Sequence, residues 1–146
     1  MDASEEKWRK WIETDLPKVA NELTFGNEAN AKVTYAAAAK LGEWHRTMPN
    51  DVEFLTQKAP AMIAGLFASK APTSQLIKNF CDALDAFAVN LDSKKPFLGG
   101  DQPNLADTEL YGFLSNYEFN PLFAQVLAAS KIAAWFARMN SFVNQL

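Results

Sequence analysis

Apolar residues recur at spacings of three and four along most of the chain, and no stretch shows the alternation of two that a strand requires. The first run is Trp8, Trp11, Ile12, Leu16, Val19 and Leu23, with Ser4 as its expected N-cap and Glu5 and Glu6 in the first turn. Pro17 lies inside that run. It removes a backbone donor and clashes with the preceding turn, so the helix is expected to kink or restart near Asp15. A second helix is read over the alanine-rich Thr34–Trp44, closed by a turn at Met48, Pro49 and Asn50. Asp51 then caps a third, lined by Val52, Leu55, Ala59, Met62, Ile63, Leu66 and Phe67, with a kink expected at Pro60. Ala71, Pro72 and Thr73 introduce a fourth helix, where Leu76, Ile77, Phe80, Leu84, Phe87 and Leu91 make the clearest amphipathic pattern in the chain.

The most informative stretch is Lys94–Tyr111, KKPFLGGDQPNLADTELY. Pro96, Gly99, Gly100 and Pro103 make a turn-rich loop, in which Gly99-Gly100 reads as a turn and not a phosphate cradle. Asn104–Asp107 reads as a helix start. Asn104 is placed to accept from the amide of Asp107, and Asp107 to reach back to the amide of Asn104, which is a capping box with Asn and Asp in place of Ser and Glu. An aspartate there also meets the positive end of the helix dipole. Phe119–Pro121 ends that helix; Leu122–Ala129 gives a short one, and Ile132–Phe142 a last one with Trp135, Phe136 and Met139. The expected class is all-α, a bundle of about five to seven helices in a single domain over residues 1–146.

Charge narrows the functions open to such a bundle. Fourteen basic and 17 acidic side chains leave a net charge of -3, with the lysines scattered, so nucleic acid is not expected as a partner. The longest run free of charged and strongly polar groups, Ala59–Ala68, is too short for a bilayer-spanning helix, and the acidic start Asp2–Glu6 is unlike a targeting segment. A soluble protein is expected, in the cytoplasm or an organelle interior. With one cysteine, Cys81, and one histidine, His45, neither a disulfide nor a metal site is expected. Phosphate-binding glycine loops, a dinucleotide fingerprint and a nucleophile elbow are missing, and no cofactor is expected.

Single residues read as structural. Cys81 stands beside Asp82, a poor setting for a reactive thiol, and is expected to be packed and inert. His45 is expected to meet the last carbonyls of a helix or to be solvated. Asp82 and Asp85 share a face at a spacing that an acid/base pair would need, yet no basic residue is read beside them and a solvated face is expected. The four tryptophans, Trp8, Trp11, Trp44 and Trp135, are expected chiefly in the core.

A helical order of this kind, with PFLGG-x-x-PNLAD ahead of the helix holding Tyr111, resembles the C-terminal domain of the glutathione transferase superfamily. The opening Lys7-Trp8-Arg9-Lys10-Trp11 and the wording of the loop look closest to its membrane-associated prostaglandin E synthase type two branch. The resemblance implies that the box at Asn104 and Asp107 helps to nucleate the helical domain. It also implies that catalytic and glutathione-binding residues would lie in a thioredoxin-like N-terminal domain, which these residues do not include, so none is assigned here. The family's hydrophobic staple across the cap is replaced by Pro103 and Thr108, a weaker pair.

Two functions follow. The favoured one is a non-catalytic interaction module, a packing subunit of a larger assembly with a protein partner. The other is the helical half of a transferase or prostaglandin-synthase-like enzyme separated from its catalytic domain. Trp8, Arg9 and Trp11 on the first helix are the expected partner surface, since tryptophan and arginine are favoured at interfaces.

Overall fold

A computed structural model describes residues 2–146. The described residues form nine α-helices and one π-helical turn, in the order α1 (Ala3–Thr14), α2 (Leu16–Phe25), α3 (Glu28–Leu41), α4 (Trp44–Thr47), the π turn (Phe54–Lys58), α5 (Ala59–Phe67), α6 (Thr73–Ala88), α7 (Leu105–Ser115), α8 (Pro121–Ala129) and α9 (Ile132–Asn144). The only β feature among them is an isolated bridge between Phe97 and Gly100. The bundle is all-α, as the three-and-four periodicity requires, and it is consistent with the helical domain of the glutathione transferase fold. It is cut more finely than five to seven helices because Pro17 opens a separate segment and Trp44–Thr47 forms a short helix of its own.

Pro17 does this between α1 and α2. The chain stays helical through Asp15, at φ -97° and ψ -42°, so the two helices meet at a kink and not at a loop. At Pro60 the accommodation is different. The preceding turn widens into π geometry over Phe54–Lys58, with the amide of Ala59 bonded to the carbonyl of Phe54. Asp51 contributes its carbonyl to Leu55, at 3.0 Å, and not its carboxylate, so the expected side-chain cap is not made.

Two other starts differ from expectation. Asp2, not Ser4, caps α1, accepting from the amide of Glu5 at 2.7 Å. Asn27 caps α3 through the amide of Asn30, so that helix begins at Glu28 and not Thr34. It also ends at Leu41, before Trp44. Glu43 takes a left-handed φ of 51°, and the indole of Trp44 folds over Gly42, where a Cβ would stand 2.7 Å from its Nε1. Any side chain at residue 42 would push that ring aside.

The dense core is built on α6. Leu76, Phe80, Leu84 and Phe87 are 0–1% exposed and meet Leu16 and Leu23 from α2, Leu110 and Leu114 from α7, Val126 from α8, and Ile132 and Trp135 from α9. The ring of Phe87 is edge-on to both Trp8, at 5.3 Å, and Trp135, at 5.5 Å. Burial of this kind contributes about 1.5–3 kcal/mol per large side chain, and it is concentrated on one side of the molecule.

The other side, α3, the π turn and α5, is built differently. Its buried side chains are small or polar: Asn30, Ala31, Thr34 and Ala39 from α3, and Pro60 and Ala64 from α5. The polar ones are satisfied internally. Asn30 donates to the carbonyl of Leu23 at 3.0 Å, and the Thr34 hydroxyl bonds the carbonyls of Thr24 and Asn30 at 2.9 Å each. Asn120, just before α8, donates to Thr34 Oγ1 at 2.9 Å and ties α8 to α3. Several large apolar side chains of this layer, Val33, Leu41, Phe54, Met62, Leu66 and Phe67, are exposed instead.

Candidate functional site

Three features compete for function: the loop-and-cap assembly around Asp107, the solvent side of α1, and the outward face of α5. Asp107 is 0% exposed and accepts four hydrogen bonds. Its Oδ1 takes the amide of Leu98 and the indole N–H of Trp135, both at 2.9 Å, and its Oδ2 takes the amides of Gly99 and Asn104, both at 3.0 Å. Asn104 returns the bond by accepting from the amide of Asp107 at 3.1 Å, so both bonds of a capping box are made.

Two glycines let the loop reach this carboxylate. Gly100 has a φ of 100°, and the Phe97–Gly100 bridge turns the chain back on itself. At Gly99 a Cβ would lie 2.3 Å from the carbonyl oxygen of Gln102 and 2.7 Å from the amide of Asn104. Thr108, at the staple position, is exposed and bonds back to the carbonyl of Asn104 at 3.0 Å. With no exposure and four donors on two oxygens, Asp107 fixes α7, the loop and α9 together. The residue types at 104 and 107 announce the capping pair; the convergence of Leu98, Gly99 and Trp135 on the same carboxylate has no local signature.

On α1 the expected partner trio is divided. Trp8 is 7% exposed and belongs to the core, its ring edge-on to Trp11 at 5.1 Å and to Phe87 at 5.3 Å, so it cannot also present a surface. Trp11 is half-buried. Arg9 is turned toward its own chain, with Nε donating to Glu109 Oε1 at 2.9 Å and a terminal nitrogen 2.7 Å from the same oxygen. Glu109 raises the Arg9 guanidinium above its ordinary value, chiefly through this hydrogen bond. One turn earlier, Glu5 accepts from the amide of Leu105 at 2.9 Å and so supplies an N-terminal partner for α7. This side of α1 is a docking face for α7.

The outward face of α5 is used internally in part, through Phe67, whose ring stacks on that of Phe25 at 6.2 Å. Met62 is 64% exposed, Leu66 81% and Phe67 41%, and Phe54 on the π turn is 47% exposed. No charged residue occurs between Ala59 and Phe67. A helix that is apolar on all sides is ordinarily a covered one. Periodicity alone hid this face, because Met62, Leu66 and Phe67 fit the same apolar run as the buried Ala64.

The remaining single residues have structural places. His45 is exposed on α4. Asp82 pairs with Lys78 at 2.7 Å, so this face does hold a basic residue, one turn back. Asp85 is half-buried and bonded within the chain: it accepts from the Ser130 hydroxyl at 2.7 Å and the Lys131 amide at 2.8 Å, holding the start of α9. Cys81 is 6% exposed and its thiol donates to the carbonyl of Val126 at 3.5 Å. Burial pushes that thiol upward, and Asp85 and Asp82 push in the same direction.

A raised thiol is held protonated at neutral pH and labels slowly. Native labelling of Cys81 at pH 8 should therefore run at least tenfold below the rate in denaturant, and equal rates would place the thiol at the surface. The same shift adds stability that is complete below the ordinary thiol range and is lost as pH rises through the raised folded value. Tyr117, raised by burial alone, acts in the same sense on the alkaline side.

Among the described residues no group of three or more His, Cys, Asp or Glu side chains is placed to hold a metal ion, and no helix is long and apolar enough to cross a membrane. No protein-family model matches the chain. Curated relatives do: prostaglandin E synthase 2 of Mus musculus is 22% identical over 142 residues, covering 97% of this chain and 37% of that protein. Prostaglandin E synthase 2 of Danio rerio is 22% identical over 134 residues, covering 91% of this chain and 36% of that protein. The chain is thus distantly similar to prostaglandin E synthase 2 over nearly all of its own length, while spanning little more than a third of those relatives.

Proposed function

We propose that these 146 residues form one helical domain of the glutathione transferase C-terminal type, and that its work is binding: a non-catalytic packing unit that a protein partner covers within a larger assembly. The observation that carries this is the solvent face of α5, where Met62, Leu66 and Phe67 stand exposed on a helix without a charge. Leaving such a face in water is unfavourable by about 25 cal/mol for each Å² of apolar surface, which is the driving force for association. The loop and capping box around Asp107 support the family reading, since they join a loop, α7 and α9 as one unit. Trp11 and the exposed rim of α1 are a second, smaller candidate surface.

The second reading, the helical half of a prostaglandin-synthase-like enzyme, is favoured by the two relatives and by the part of their length that this chain leaves uncovered. Glutathione tests the first reading. An apolar helical wall gives no stabilisation to a developing thiolate charge, so calorimetric titration of this chain with glutathione should give no saturable heat up to the millimolar range, and no conjugation above background. Saturable binding together with conjugation would move the enzyme reading into first place.

A further inference from the structure

The excursion made by α3, α4, the π turn and α5 leaves the rest of the fold and returns to it at one point. The amide of Ser69 donates to the carbonyl of Gly26 at 3.0 Å, and the Ser69 hydroxyl donates to Glu22 Oε1 on α2 at 3.0 Å. Beside them Asn27 Nδ2 donates to Thr73 Oγ1 at 3.5 Å, joining the starts of α3 and α6. At Gly26 a Cβ would stand 3.0 Å from that of Ser69, so the outgoing and returning chains touch there. The helices on either side of this neck, α2 and α6, pack directly on each other. Residues 27–68 are therefore free to leave without drawing the flanking helices apart.

What holds residues 27–68 down is small and polar. Among the described residues, the buried apolar cluster and the half-buried side chains packed against it skip every position between Leu23 and Ala71. Contact with the remainder runs chiefly through α2 and α8. Asn30 and Thr34 bond the carbonyls of Leu23 and Thr24 at the end of α2, and Asn120 ties Thr34 to α8. Two rings cross, those of Tyr35 and Phe67, both onto Phe25, and none of the three residues is buried. Undocking thus uncovers little apolar surface, while every residue released regains backbone entropy. Helices of 14 and 9 residues are marginal in water without packing, so α3 and α5 melt once undocked.

We propose that residues 27–68 are a hinged unit that undocks and melts as one piece about the Gly26–Ser69 neck, and redocks, while α1, α2 and α6 to α9 stay folded. The α5 face exists only in the docked state, so any occupant of that face also holds the unit closed. The proposal rests on the neck and the docking contacts and is independent of what covers α5.

Native-state hydrogen exchange of the whole chain across low urea concentrations tests it. The slowest amides of α3 and α5 should exchange through one common opening, about tenfold or more faster than the slowest amides of α6 and with a shallower dependence on urea. Ile132→Val trims a side chain on α9 that is 0% exposed and whose contacts survive in the open state. It should speed the α6 amides about two- to tenfold and leave those of α3 and α5 unchanged. Thr34→Ala should speed the α3 and α5 amides by one common factor of about threefold or more, although the Thr34 hydroxyl bonds only Thr24, Asn30 and Asn120. The proposal is overturned if the α3 and α5 amides exchange at the rate and urea slope of α6, if Ile132→Val speeds them as much as it speeds α6, or if Thr34→Ala speeds α3 alone.

Discussion

Asp107→Ala should lower the free energy of unfolding by about 3–4 kcal/mol at pH 7, more than the roughly 1–2 kcal/mol expected from loss of a helix cap alone. The difference lies in what the substitution strands. A cap residue normally satisfies one or two amides at a helix start, whereas Asp107 satisfies the amides of Leu98, Gly99 and Asn104 and the indole N–H of Trp135. All four converge on a carboxylate with 0% exposure, so solvent does not replace it without the loop opening. Unsatisfied buried donors cost about 1–3 kcal/mol each, and the four do not add, since one entering water or one loop movement relieves several together. Asn104→Ala is the internal comparison. It removes only the bond to the Asp107 amide and should cost about 1–2 kcal/mol. Urea midpoints for the two variants should therefore differ clearly; equal midpoints would reduce Asp107 to an ordinary cap.

Gly99→Ala should be comparably severe, about 2–4 kcal/mol, for a steric reason. The added methyl would meet the Gln102 carbonyl at 2.3 Å and the Asn104 amide at 2.7 Å, both backbone atoms that have no rotamer in which to give way. The loop must shift, and it carries the Gly99 and Asn104 amides away from Asp107 as it does so. The two lesions damage one assembly. Gly99→Ala introduced into the Asp107→Ala background should then cost at least 1 kcal/mol less than it does in the wild type. Additive effects in this double-mutant cycle would mean that the glycine and the carboxylate act separately.

How much of this was legible in the sequence depends on how local the cause is. The kink at Pro17 and the whole of α6 follow from residues within two turns of each other, and so does the pairing of residue types at Asn104 and Asp107. The start of α3 at Asn27 is also local, but its cap is a weaker signal than the alanine-rich run that follows it. The widened turn before Pro60 needed knowledge that the chain continues helical on both sides of the proline. What no pattern carries is direction. Trp8 and Met62 fit apolar periodicity equally well, yet one is in the core and the other is 64% exposed, because α1 has α2 and α7 against it while α5 lies at the edge on α2, α3 and the π turn. The division of Trp8, Arg9 and Trp11 between the core and the surface of α1 has the same cause. Glu109 and Leu105, which engage Arg9 and Glu5, lie 100 residues further along the chain.

The central claim is that the α5 face is a covered surface in the working protein. Its most direct test is the native mass of the assembly holding this chain in extracts of its source cells, compared with that of the Met62→Ser, Leu66→Ser variant. Both substitutions fall on exposed side chains, at 64% and 81%, so the fold should survive, as unchanged thermal midpoints of the purified chains would verify. The wild type should migrate in a complex well above the 16.2 kDa of the chain, and the variant should fall back to the mass of the free chain. A wild-type chain that migrates at its own mass, or a variant that stays in the complex, would contradict the account.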